Sequence, residues 1–164
     1  MPHMIIAIIL QGDFKSDQAD YFDLYPIPLT NTLTLFHIDF YYSACWQHQL
    51  RMKDYLPVVN ITEVFYPKEI VIAEIIKRTS LSSNPRYAII MTEYFAGMGN
   101  QYANVFINDK NGDEQVSTIN QALKFLGVVA VPGKDEFDTV GLSSIRSQPE
   151  YLEKYVDLAD VYGV

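Results

Sequence analysis

Thr92-Glu93-Tyr94-Phe95-Ala96-Gly97-Met98-Gly99-Asn100-Gln101 is the segment whose residue types and spacing best suit chemistry. Side chains alternate across a strand, so Ile89, Met91, Glu93 and Phe95 share one face. A carboxylate among such apolar neighbours is costly unless it is paired, and burial raises its pKa. Glu93 therefore reads either as a general base or ligand contact beside a glycine-rich turn, or as a strand-end carboxylate that satisfies turn amides or reaches solvent. Tyr94, Gly97, Gly99 and Gln101 complete the binding candidates in this stretch. The glycines match no phosphate loop, because no Lys-Ser/Thr pair follows them.

A second candidate is Lys134-Asp135-Glu136-Phe137-Asp138, three carboxylates around one aromatic. Such a cluster could hold a hard cation, but it lacks the alternating oxygen ligands and closing Glu of a calcium loop. It reads equally as a solvated loop anchored by Phe137, with Arg146 close enough in sequence to pair with one of the acids. Asp135, Glu136, Phe137 and Asp138 are kept as binding candidates, with no metal assigned. His37, Asp39, Cys45 and His48 include metal-ligand types, but their spacing fits no zinc signature. Cys45 lacks an activating setting and reads as a small buried thiol. No catalytic residue and no cofactor is expected.

Elements must position these groups. Met4–Leu10 reads as a strand buried on both faces, and Thr32–Phe40 and Val58–Phe65 also read as strands. Pro67–Thr79 combines strand-prone Ile and Val with helix punctuation: Pro67 and Glu69 at the start, Lys77-Arg78 at the end. Its length favours a helix. Tyr87–Phe95 and Gln101–Asn108 form the clearest hairpin, joined by residues 96–100, of which Gly97, Gly99 or Asn100 must take a positive φ. A helix is predicted over 116–126, stopped by Gly127, with a short strand at Val128–Val131 and irregular chain from Gly133 to Arg146. Ser147-Gln148-Pro149-Glu150 has the pattern of a capping box and opens a last helix, 148–161.

The expected fold is α+β: a mainly antiparallel sheet with a central hairpin at 87–108 and packing helices at 67–79, 116–126 and 148–161. One domain over 1–164 fits the length. Met1-Pro2-His3 resembles a cloning scar ahead of a native Met4 and is set aside.

Two stretches look familiar. Glu93–Gln101 resembles the Y-F-G-G-x-G-x-Q segment of a family of uncharacterised bacterial proteins, with Ala96 at one of its glycine positions. Ile119–Val128 and Asp135–Leu142 resemble that family's C-terminal half. The resemblance spans Tyr87 to Arg146, about a third of the chain. It implies a compact bacterial domain and assigns no catalytic residue.

The formal net charge is −8. Residues 1–66 carry −4, residues 67–108 +1 and residues 109–164 −5, so acidity gathers towards both ends of the chain. A negative surface repels phosphate backbones and anionic lipid, which disfavours nucleic-acid and membrane partners. It would steer in a basic protein. With one cysteine no intrachain disulfide forms, and no leader or membrane-length apolar run is visible, so a cytoplasmic setting is expected. The leading functional expectation is a protein–protein interaction module, such as an immunity-type inhibitor of a basic partner. The alternative is a small-ligand binder or enzyme centred on Glu93 and the Gly97–Gly99 turn. Homo-oligomerisation through exposed aromatics is a third.

Overall fold

The first strand, β1 (Ile6–Gln11), is apolar at almost every position because both its faces are covered. Ile8 and Leu10 point into one core, while Ala7 and Ile9 point into another. This is a computed structural model, and it describes residues 2–53 and 66–164. The strand expected at Val58–Phe65 lies outside the described residues.

β1 pairs antiparallel with β3 (Leu33–His37) on one side and β4 (Arg86–Phe95) on the other. β4 continues through a tight turn into β5 (Met98–Ile107). Two-residue strands, β2 (Ile27–Pro28) and β6 (Lys110–Asn111), complete the described sheet, in the order β2-β3-β1-β4-β5-β6. Every pairing between these strands is antiparallel. The α+β class and the central hairpin are thus as expected.

Helices cover both faces of the sheet. On one side α1 (Ser16–Tyr21), α2 (Phe40–Gln49), α3 (Glu69–Thr79) and α6 (Lys154–Tyr162) bury Tyr42, Trp46, Ile72, Ile76 and Tyr155 against Phe36, Tyr87, Ile89 and Phe106. On the other, α4 (Ile119–Phe125) packs Ile119, Ala122 and Leu123 against Ala88, Ile90 and Val105. The short α5 (Glu136–Thr139) and a 3-10 turn at Leu142–Ser144 extend this layer. Among the described residues no helix is long and apolar enough to cross a membrane.

Several boundaries differ from the sequence reading, each for a local reason. β3 stops at His37 because Asp39 caps α2, accepting the Tyr42 N–H at 2.7 Å. The helix expected over 116–126 begins at Ile119, where Thr118 and Gln121 form a reciprocal capping box. It ends as predicted at Gly127, φ +91°. Val128–Val131 is not a strand. The stretch from Gly133 holds α5 and the 3-10 turn in place of irregular chain. The capping box expected at Ser147–Glu150 does not form. Instead the Gln148 Oε1 accepts the Ile6 N–H at 3.1 Å and the His37 Nδ1–H at 2.9 Å, and Nε2 donates to the Ile38 carbonyl at 2.7 Å. The segment expected as a helix at 148–161 is a 3-10 turn, Glu150–Glu153, running into α6.

Candidate interaction face at the hairpin end

The β4–β5 connection is tighter than its sequence suggests. Phe95 pairs with Met98, leaving only Ala96 and Gly97 between the strands. Both take positive φ, +53° and +77°, as a type I′ turn requires. Gly99 sits at φ +149°, and a Cβ there would lie 1.8 Å from the Glu93 carbonyl oxygen. Only glycine lets the strands close at this point. The register sorts the tip into two faces. Glu93, Phe95, Met98 and Asn100 share one, and Thr92, Tyr94, Gly99 and Gln101 share the other.

The Tyr94 face opens on a cleft of about 350 Å³ against α4 and α5. Gln101 fixes its floor: its Nε2 donates to the Tyr94 hydroxyl at 2.9 Å, and its Oε1 accepts the Ile119 N–H at the start of α4, 2.8 Å away. Asn120 fixes the opposite wall. Its Nδ2 donates to Asp135 Oδ2 at 3.1 Å and its Oδ1 accepts the Phe137 N–H at 2.8 Å. Asp135 also accepts the Asp138 N–H at 2.8 Å, capping α5. The third wall is His3. His3, set aside with the first residues of the chain, is part of the fold: it is buried and exchanges backbone hydrogen bonds with Tyr94. Its Nε2–H donates to the Leu142 carbonyl at 2.9 Å. Thr92 Oγ1, which accepts the Ile5 N–H, lies 2.7 Å from Nδ1, and the ring tilts against Phe137 at 5.3 Å.

Of the residues singled out from sequence, Tyr94, Gly97, Gln101, Asp135 and Phe137 meet in this cleft. Glu93, Gly99, Glu136 and Asp138 are not among its lining residues. Glu136 is buried and pairs with Lys124 at 3.4 Å; Asp138 is exposed. Phe137 is half-buried and packs on the core, so it holds the loop down more than it projects from it. His3, Asn120, Ser143 and Arg146 also line the cleft and were not singled out for it from sequence. His3 and Asn120 reach it through contacts between distant parts of the chain that no local pattern encodes.

Glu93, expected among apolar neighbours, is exposed at the strand end, as its reading as a carboxylate that reaches solvent has it. β4 runs beyond the helices that cover its inner part, and Met91, 7% exposed, is the last covered residue on that face. Beyond it Phe95 and Met98 are 72% and 79% exposed, and Met4, which the register places beside Glu93, is 51% exposed. A second hollow of about 240 Å³ lies here, lined by Met4, Ile6, Met91, Glu93 and Gln148 among others. Glu93 and Gly97 thus border different hollows on opposite sides of the hairpin.

The remaining candidates do structural work. Cys45 is buried and donates to the Tyr155 carbonyl at 3.3 Å. Burial, with Asp39 nearby, pushes its thiol up to about 11, far from a nucleophile's range. His37 is held by Gln148, and burial lowers its pKa. Among the described residues no three His, Cys, Asp or Glu side chains gather to hold a metal ion. One buried acid escaped sequence reasoning. Glu69 opens α3, and burial raises its carboxyl to about 7 against the opposing pull of the Tyr66 hydroxyl. Among the described residues its Oε1 has no hydrogen-bond partner, nor does Oδ1 of the buried Asn104, whose Nδ2 donates to that same hydroxyl at 3.2 Å.

Comparison of the chain with family models, with curated proteins and with solved structures finds no match.

Proposed function

We propose that the chain is a protein-binding module of the immunity-inhibitor type, which docks a basic partner through the free end of the β4–β5 hairpin. The observation that carries this reading is the exposure of Phe95 and Met98, 72% and 79%, on a turn whose backbone is fixed by Ala96, Gly97 and Gly99. An aromatic and a methionine held out on a rigid tip are anchor-type residues for an interface. A pre-shaped loop also loses little entropy on binding. The net charge of −8 favours encounter with a positive partner and disfavours nucleic acid and anionic membranes. A cytoplasmic setting belongs to the same reading. The carboxylates at 135–138 contribute field more than contact, since Asp135 caps α5 and Glu136 is paired.

The test is affinity capture from extracts of the source cells, with three immobilised baits: the wild-type chain, Phe95→Ser/Met98→Ser, and Val161→Ser as an exposed control on α6. The reading expects one basic protein retained by the wild type and the control and lost by the double variant. Equal retention by all three contradicts it.

A second reading has one observation in its favour. The cleft of about 350 Å³ brings Tyr94, Gln101, Asn120, Asp135 and Arg146 together, a polar lining able to orient a small ligand. In that reading Glu93 takes no part, because it borders the other hollow.

A further inference from the structure

Met4, Ile6, Met91, Glu93, Phe95 and Met98 lie on one face of the sheet end, by the register of β1 with β4 and of β4 with β5. The inner members border the hollow of about 240 Å³, whose one charged lining residue among those described is Glu93. Methionine is unbranched and polarisable, and it adapts to the shape of what it covers. Three methionines and a phenylalanine, with the uncharged Asn100 opposite Glu93 and Gln148 at the hollow, therefore present a mainly apolar face with a single negative charge.

That charge decides between occupants. A second copy of the chain, docked face to face about a twofold axis, would present the same patch, which among its described lining residues holds no cation to meet Glu93, and would add the repulsion of two chains of charge −8. An uncharged apolar segment would bury Glu93 without a counter-charge, which is costly. A Lys or Arg side chain fits both parts: its methylene stem lies along the methionines and its cationic head meets the carboxylate.

Resting on the interaction reading above, we infer that this face is a receptor for one basic side chain presented within an apolar segment of a partner protein. The probe is a capped peptide with one lysine flanked by leucines, set against the same peptide with norleucine in place of lysine. Chains carrying ¹³C-labelled methionine methyl groups are titrated with each, and the signals of Met4, Met91 and Met98 are followed. Met52, which lies on a different surface hollow, is the reference. The lysine peptide is expected to shift the three signals at about tenfold lower concentration than the norleucine peptide. Glu93→Gln, a change at an exposed position, should abolish that difference. Equal response to the two peptides overturns the inference, as does a difference that survives Glu93→Gln or the absence of any shift at the three methyls. The interaction reading is judged separately, by the loss or retention of a captured protein in the Phe95→Ser/Met98→Ser variant. A partner lost from that variant, together with equal peptide responses, would leave the module standing and remove only its basic receptor.

Discussion

Glu69 gives the folded chain a pH dependence of definite sign. Burial raises its carboxyl from 4.5 to about 7 in the folded state, so between those values the folded state holds a proton that the unfolded state has released. Its contribution to stability is therefore greatest below the unfolded value and is lost as pH rises through the folded one. Glu69→Gln keeps the shape and removes the charge. Thermal melts should show the variant more stable than wild type at pH 8, with the difference closing by pH 5; a difference that does not change with pH would show that Glu69 is not held neutral by burial. This acid was not legible as a site from sequence. Glu69 has the appearance of first-turn punctuation, while its carboxyl meets the Tyr66 hydroxyl, which in turn accepts from Asn104 on a distant strand. His3 and Asn120 escaped for the same reason, since their partners lie on other elements.

Among the elements, the hairpin was the most legible because its constraint is local. Glycines between two apolar runs announce a turn, and the turn is there. Its length was misread because Met98 and Asn100 look like loop residues but pair with Phe95 and Glu93. The two glycines should differ in what they tolerate. A Cβ at Gly97 meets nothing within 4 Å, while at Gly99 it meets backbone at 1.8 Å. Urea unfolding should find Gly97→Ala destabilising by about 1 kcal/mol and Gly99→Ala by roughly 2–4 kcal/mol. Equal losses would mean that the strands do not close as described. Helix α3 was legible from Pro67, Glu69 and Lys77-Arg78 at its ends despite its strand-prone interior. The Ser147–Glu150 box misled because Gln148 is drawn to the end of β1 and β3 instead. The acids at 135–138 looked like a free surface cluster, yet reversing Asp135, Glu136 and Asp138 together to Lys should remove the α5 cap and the Lys124 pair. The loss is expected to be about 2 kcal/mol or more, read as a lower Tm. An unchanged Tm would return these residues to a purely surface role.

Across the described residues, helices on both faces of an antiparallel sheet bury its middle and leave one end of its central hairpin exposed. The α+β class followed from strand and helix periodicity, whereas the exposed end did not, because exposure depends on where the helices stop. Phe95 and Met98 read as ordinary apolar residues in the sequence, and only the structure shows how far they are exposed. The central claim is that these two side chains anchor a partner. It is tested most directly by the equilibrium affinity of the captured basic protein for wild type and for Phe95→Ser/Met98→Ser, with Tm measured on the same samples. A Kd raised by about 30-fold or more, corresponding to roughly 2 kcal/mol, with Tm unchanged, is the predicted result. An unchanged Kd would contradict the account.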